Sequence, residues 1–247
     1  MSIKSIHTPA NLDEAWERHH NGGVFLGGGS YLVANADPMI TELIHLTPLL
    51  DHTIATDAKT VTIGAGATLG DLHRSVKGDP AFADLATSII HGCPSAHLRN
   101  QRTIGGELAQ GRTDSDFFFF CLAADAQLSV WTGTPGTVSL RQWDGNGIVT
   151  SVSLSVENLI KSYRLAILPS TLPLLLVTVR QTPGGQEWFI GGTISEIWLD
   201  VHEITSQEEA DTLAREVVER FPESPLANRE TWIVWIRQAL MELGGLE

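Results

Sequence analysis

Two stretches of this chain place glycine where an anion needs bare backbone. Gly27-Gly28-Gly29-Ser30-Tyr31 follows the apolar run Val24-Phe25-Leu26, and Thr103-Ile104-Gly105-Gly106-Glu107 follows a polar loop. A glycine turn after a buried strand can aim N–H groups at phosphate oxygens with no Cβ in the way. Thr103 adds a hydroxyl, and Asp114-Ser115-Asp116 adds carboxylates suited to ribose hydroxyls. Neither turn is a standard signature. GxGxxG with a later acid is absent, and no Gly-Lys-Ser/Thr follows the first turn. Taken singly, the first also reads as a plain structural turn and the second as a turn with a helix cap.

Other residues with chemical potential carry less. Arg99 and Arg102 flank the second turn, either to screen an anion or as solvated loop charges. His91, Cys93 and His97 lie on one loop without a fourth ligand, so no metal site is expected. Cys93 and Cys121 are the two cysteines, too few for a disulfide framework or a four-thiolate cluster. No Ser–His–Asp arrangement follows from spacing. The run Phe117 to Phe120 reads as core, and Trp188, Trp198, Trp232 and Trp235 as core or subunit contacts.

The net charge of −13 makes a generic nucleic-acid binder a poor expectation. Much of the acid lies between Asp200 and Glu223. No apolar run approaches about 18 residues, so no membrane span is expected. The N-terminus shows no signal-peptide pattern, and a cytoplasmic protein is expected.

The elements that position the turns follow from pattern. Thr8-Pro9 predicts a cap for a helix over Ala10 to His20. Val24–Leu26, Glu42–Leu46 and Val61–Ile63 read as strands, and Leu69 to Val76 and Ala81 to Ile90 as helices. His91 to Gln101 reads as loop. A buried helix over Phe117 to Ala124, capped by Asp114 or Ser115, precedes strands at Gln127–Trp131 and Gly147–Val156. The last third changes character. Tyr163–Leu168, Leu174–Gln181, Glu187–Gly192 and Ile194–His202 read as antiparallel strands, with a turn at Pro183-Gly184-Gly185. Ser206-Gln207-Glu208-Glu209 is a capping-box pattern opening a helix to about Phe221, and Glu230 to Leu243 reads as a final helix. Strands followed by helices suggest an α+β module.

The two turns in this order, with Leu98-Arg99-Asn100 before the second, resemble a known family. It is the FAD-binding medium subunit of the molybdopterin dehydrogenases, of xanthine dehydrogenase and carbon monoxide dehydrogenase type. That family typically shows Ala-Gly-Gly-Thr-Asp-Leu after its first strand, where this chain has Gly27 to Leu32. Its second signature, Ile-Arg-Asn-x-x-Thr-Ile-Gly-Gly-Asn-Leu, corresponds to Leu98 through Leu108. Ile63-Gly64-Ala65-Gly66-Ala67-Thr68 and Cys121-Leu122-Ala123-Ala124-Asp125-Ala126 also fit, and the likeness covers residues 1–160 best.

The resemblance implies an α+β fold: two flavin-binding subdomains of vanillyl-alcohol-oxidase-like type, 1–55 and 56–160, and a small antiparallel sheet with helices, 161–247. It implies FAD, with Gly27, Gly28, Gly29, Ser30, Tyr31 and Thr103, Ile104, Gly105, Gly106, Glu107 around the diphosphate. It places Asp116 at the adenosine part, Cys93 near the flavin, and Arg164 at the position of a family lysine. It implies an oxidoreductase subunit with no acid–base pair of its own. The partners would be a molybdopterin-binding large subunit and a 2Fe-2S ferredoxin-like small subunit, with electrons leaving to NAD, a quinone or oxygen. Glu107, Tyr31 and Gly111-Arg112-Thr113 depart from the family pattern. Glu107 and Tyr31 motivate a second reading, a family member without FAD serving as a scaffold or assembly subunit. A stand-alone flavin reductase is a third. On the first reading Gly105→Asp is expected to remove the cofactor without unfolding the chain.

Overall fold

The computed structural model describes residues 3–157, 160–168, 171–192, 197–201, 203–220 and 227–246, with only the backbone described for 197–201. The chain divides into two compact units. One is Met1–Gly111 with Asp125–Ser155, and the other is Arg112–Ala124 with Val156–Glu247.

The first unit opens with a parallel ladder. Ser5–His7 (β1) and Val24–Leu26 (β2) flank Glu42–His45 (β3). Leu12–His20 (α1) connects β1 to β2. Its cap is Asn11 and not Thr8. Asn11 Oδ1 accepts the Glu14 N–H at 2.9 Å, and the Glu14 carboxylate reaches back to the Ala10 N–H at 2.8 Å. The helix therefore starts at Leu12, later than expected, because an asparagine with extended backbone supplies the acceptor. Between β2 and β3 the first glycine turn leads into a short helix, Ser30–Asn35 (α2), none of whose residues is buried.

The second sheet of this unit is antiparallel. Ile54–Asp57 (β4), Thr60–Gly64 (β5), Gln127–Trp131 (β6), Pro135–Ser139 (β7) and Ile148–Ser155 (β8) run in the order β4-β5-β8-β6-β7. The edge strands β4 and β7 escape a pattern reading. They carry Asp57 or Pro135-Gly136, and need hydrogen bonds on one side only. Val61, Ile63, Leu128, Val152 and Leu154 are fully or almost fully buried from its inner strands. The further helices of this unit are Leu69–Val76 (α3), Ala83–Gly92 (α4), Ala96–Arg99 (α5) and Ile104–Gln110 (α6). The stretch expected as loop thus contains a short helix capped by Ser95. Pro80–Phe82 forms a separate 3-10 turn, so α4 begins after it. α6 packs on β5 and β8.

The second unit is an antiparallel sheet with helices on both faces. Asp116–Ala123 (α7) is followed by Ile160–Leu165 (β9), Leu175–Thr182 (β10), Gly185–Gly192 (β11) and Ile197–Val201 (β12), in the order β12-β11-β10-β9. Gln207–Glu219 (α8) and Arg229–Gly244 (α9) follow. Leu175, Val177, Val179, Trp188 and Ile190 pack on one face with Leu213, Val217, Trp232, Ile236 and Leu240. α7 lies against β10 and β11. There Gly191 leaves room for the Phe119 ring, which a side chain would meet. Coverage of both faces is why Leu175 to Val179 is buried without alternation. Every residue of α7 is buried, as expected of a helix apolar all round. The segment is fastened to β11: Gly192 N–H donates to Thr113 O at 2.7 Å, and Thr113 Oγ1 donates to Gly192 O at 3.1 Å. Ser206 and Glu209 form the anticipated capping box. The expected helix end at Phe221 and the strand start at Ile194 lie outside the described residues.

Candidate functional site

The fold brings the two glycine stretches against each other. A methyl placed on Gly27 would stand 2.7 Å from Thr103 Oγ1, and one on Gly28 would drive into the Gln101 carbonyl oxygen. Gly29 has φ +73° and caps α2 from the left-handed region. Each glycine thus answers a different demand: contact with Thr103, contact with Gln101, and backbone handedness. Among the described residues no acceptor meets the amides of Gly27, Gly28, Gly29, Ser30 and Tyr31. A run of unpaired N–H groups entering a helix is a receptor for an anion. Tyr31 is 45% exposed, so its ring lies at the surface of the turn.

The second stretch is built otherwise. Thr103 caps α6, and Gly105 and Gly106 are helical. Ile104 N–H donates to Ala67 O at 2.8 Å, Gly105 N–H to Ala65 O at 2.9 Å, and Glu107 N–H to Thr103 O at 2.9 Å. Gly106 N–H reaches Thr103 Oγ1 at 3.3 Å. The amides expected to be bare are therefore engaged by protein. A methyl on Gly105 would meet Ala65 Cβ at 2.9 Å, so this glycine serves close packing. Gly105→Asp would put a carboxylate into that contact and damage the unit itself, contrary to the expectation that the fold survives. Thr103 keeps a different role, since its hydroxyl oxygen faces Gly27.

The segment before Thr103 is fixed from several sides. Arg99 Nη1 donates to Cys93 O at 2.7 Å and Pro94 O at 2.8 Å, so it shapes its own loop. Asn100 Oδ1 accepts from Arg74 at 3.1 Å. Leu69 N–H donates to Arg102 O at 2.9 Å. Cys93 is buried at the end of α4, and His97 faces Gln101. Among the described residues no cluster of His, Cys, Asp and Glu is arranged to hold a metal.

Residues that spacing did not reveal complete this support. Thr68 caps α3 in a reciprocal box with Asp71, whose carboxylate accepts Thr68 Oγ1–H at 2.6 Å and Thr68 N–H at 3.0 Å. Burial pushes the Asp71 carboxyl up, but the Thr68 bonds and Arg74 outweigh it, and the group sits below its usual range. An acid held below its ordinary value stabilises the fold above that value and loses the contribution as pH falls through the lowered one. Thr68→Ala is expected to lower stability by about 1 kcal/mol in urea titrations at neutral pH. The gap from the parent protein should narrow in acid, where Asp71 protonates. A gap that does not depend on pH would show that the box contributes nothing through its charge.

Glu107 is buried, and Arg102 Nη1 stands 3.6 Å from Glu107 Oε2. Asp116 and Arg164 belong to the second unit. There Arg164 Nε donates to Asp116 Oδ2 at 3.3 Å, and an Arg164 Nη2–H donates to Thr171 O.

Residues 2–147 match the family model described as the FAD binding domain in molybdopterin dehydrogenase. The chain belongs to that family. FAD is the cofactor of this domain, and its family serves molybdopterin-dependent oxidoreductases. The uncharacterized protein YgfM of Escherichia coli K12 is 33% identical over 137 residues, covering 53% of this chain and 51% of that protein. The chain thus spans about half the length of the curated relatives it matches. Carbon monoxide dehydrogenase from Hydrogenophaga pseudoflava, in a form lacking the Mo-pyranopterin moiety, aligns with a TM-score of 0.77 at 15% identity, over 98% of this chain and 96% of that one. Quinoline 2-oxidoreductase from Pseudomonas putida 86 aligns with a TM-score of 0.73 at 17% identity, over 99% of both chains. At these identities the likeness shows the fold, and it is that of the flavin-binding family. Among the described residues no helix is long and apolar enough to cross a membrane.

Proposed function

We propose that this chain is the FAD-carrying electron-transfer subunit of a molybdenum hydroxylase. The observation that carries the reading is the row of unpaired amides from Gly27 to Tyr31, held against Gln101 and Thr103 inside a domain of the FAD-binding family. The first turn would take the diphosphate, with the Thr103 hydroxyl beside it. Gly105 and Gly106 would contribute through packing. Cys93, Asp116 and Arg164 stay assigned to the flavin and adenosine ends on the family resemblance alone. The division into subdomains 1–55, 56–160 and 161–247 belongs to the same proposal.

When bound, the flavin supplies the redox chemistry, and the chain supplies binding and orientation. Electrons would arrive from iron–sulfur clusters on a small partner, fed by a molybdopterin site on a large one. They would leave to NAD, a quinone or oxygen. A cytoplasmic location belongs to the same proposal. The scaffold reading draws on Glu107 and Tyr31, and the burial of Glu107 beside Arg102 counts against the first of these motives.

The purified protein is expected to be yellow, with flavin absorbance, and to release about one FAD per chain on denaturation. A folded, colourless protein that takes up no added FAD would overturn the reading in favour of the scaffold.

A further inference from the structure

One charged pair flanks the two turns. Arg102 and Glu107 have side chains only 19% and 4% exposed. The Arg102 Cα lies 3.4 Å from a methyl placed on Gly28, so its backbone forms the wall of the first turn. Glu107 lies in the first turn of α6, the helix that Thr103 caps against Gly27. A buried carboxylate here would repel a diphosphate. At 3.6 Å the pair is an ionic contact and longer than a hydrogen bond. Among the described residues the Arg102 guanidinium has no other acidic partner and no hydrogen-bond acceptor, although it is mostly buried. A guanidinium carries a fork of N–H donors that matches phosphate oxygens. The neighbouring arginines are committed elsewhere, Arg99 to loop carbonyls and Arg74 to Asp71 and Asn100.

We propose that Arg102 is a cofactor-binding residue. In the free protein it neutralises Glu107, and with cofactor bound it gives its unused N–H donors to the diphosphate. This rests on the flavin reading above. It also accounts for one departure from the family pattern: the acid at Glu107, beside the second turn, is tolerated because Arg102 faces it. Within the pair the two charges offset each other, so losing Arg102 shifts the charge felt by the anion toward negative, and losing the Glu107 charge shifts it toward positive.

The test is FAD affinity of the flavin-stripped protein, measured by flavin fluorescence across a salt series. Arg102→Gln should weaken binding by roughly tenfold or more. Arg102→Lys should recover most of it, and Glu107→Gln should bind at least as tightly as the parent. The salt dependence should flatten in Arg102→Gln, a change that a structural role alone would not produce. Parent-like affinity in Arg102→Gln overturns the proposal and leaves the flavin reading standing. Equal weakening in Arg102→Gln and Glu107→Gln also overturns it, because the pair would then act only through the fold. If Arg102→Gln does not fold, Arg102→Lys and Glu107→Gln decide, and weakening in Glu107→Gln counts against it. A parent protein that binds no FAD removes both readings.

Discussion

Gly28→Ala is expected to cost the protein its flavin. The added methyl would overlap the Gln101 carbonyl oxygen, which is backbone and cannot rotate away. Either the glycine turn or the 98–103 segment must move. The latter is tied to α3 through Leu69 N–H on Arg102 O and Arg74 on Asn100, so the turn is the part that yields. Hydrogen bonds weaken steeply once donors leave their line, so a shift of about 1 Å removes the convergence of the Gly27 to Tyr31 amides. Overpacking of this kind costs about 1–3 kcal/mol of stability. Gly29→Ala should be milder, about 1–2 kcal/mol, because its φ of +73° is a conformational cost without a backbone collision. Gly136→Ala on the exposed edge strand β7 is the control, since its nearest neighbour is 3.9 Å away. The ratio of flavin to protein absorbance reads the effect. A Gly28→Ala protein that purifies with full flavin would mean that this turn is not the cradle.

How much of this was legible follows from what the residues themselves can signal. Gly27-Gly28-Gly29 after an apolar run announces a turn, and the structure has one there. The partner of Gly28 is a main-chain carbonyl far along the chain, and any residue at 101 would supply it. The same holds for the second stretch. Its amides are engaged by the carbonyls of Ala65 and Ala67, and nothing in the residue type of an alanine reports that its carbonyl faces a helix start. Hence residue type alone makes the bonded amides of α6 look free. Glu107 shows the opposite limit. Its charge was visible as a conflict, but its burial and its 3.6 Å approach to Arg102 depend on α6 winding back toward the loop.

The second unit was more readable where one surface decides the pattern. The amphipathic stripe of α8 and its Ser206–Glu209 box gave a start that the structure places at Gln207. The hairpin at Pro183-Gly184 pairs Thr182 with Gly185, as a tight turn requires. What the pattern hid was the allegiance of 112–124. Phe117 to Phe120 states that this helix is buried, but an all-round apolar helix carries no face pointing to its partner. The ties of Thr113 to Gly192 place the segment with the C-terminal sheet.

The second large effect lies at Asp116 and Arg164. The resemblance assigns Asp116 to the adenosine part, and it is 3% exposed at the first position of α7. Arg164 on β9 bonds both Asp116 and the Thr171 carbonyl, so one guanidinium links strand, helix and the segment before β10. Removing one member of a buried pair strands the other charge and typically costs about 3–5 kcal/mol, more than the pair contributes over two neutral residues. Arg164→Ala is therefore expected to lower stability by about 3 kcal/mol in urea unfolding. Asp116→Ala should cost somewhat less, because Arg164 retains Thr171 and part of its surface. The double variant should be less destabilised than the sum of the singles by more than about 1 kcal/mol. Flavin content separates the two roles of Asp116. If it acts only within the fold, Asp116→Asn, which keeps shape and one acceptor oxygen, should hold FAD in proportion to its stability. If it also takes ribose hydroxyls, FAD affinity should fall in Asp116→Asn by more than in an Arg164 variant of matched stability. Additive single effects would show that the 3.3 Å contact is not an energetic pair.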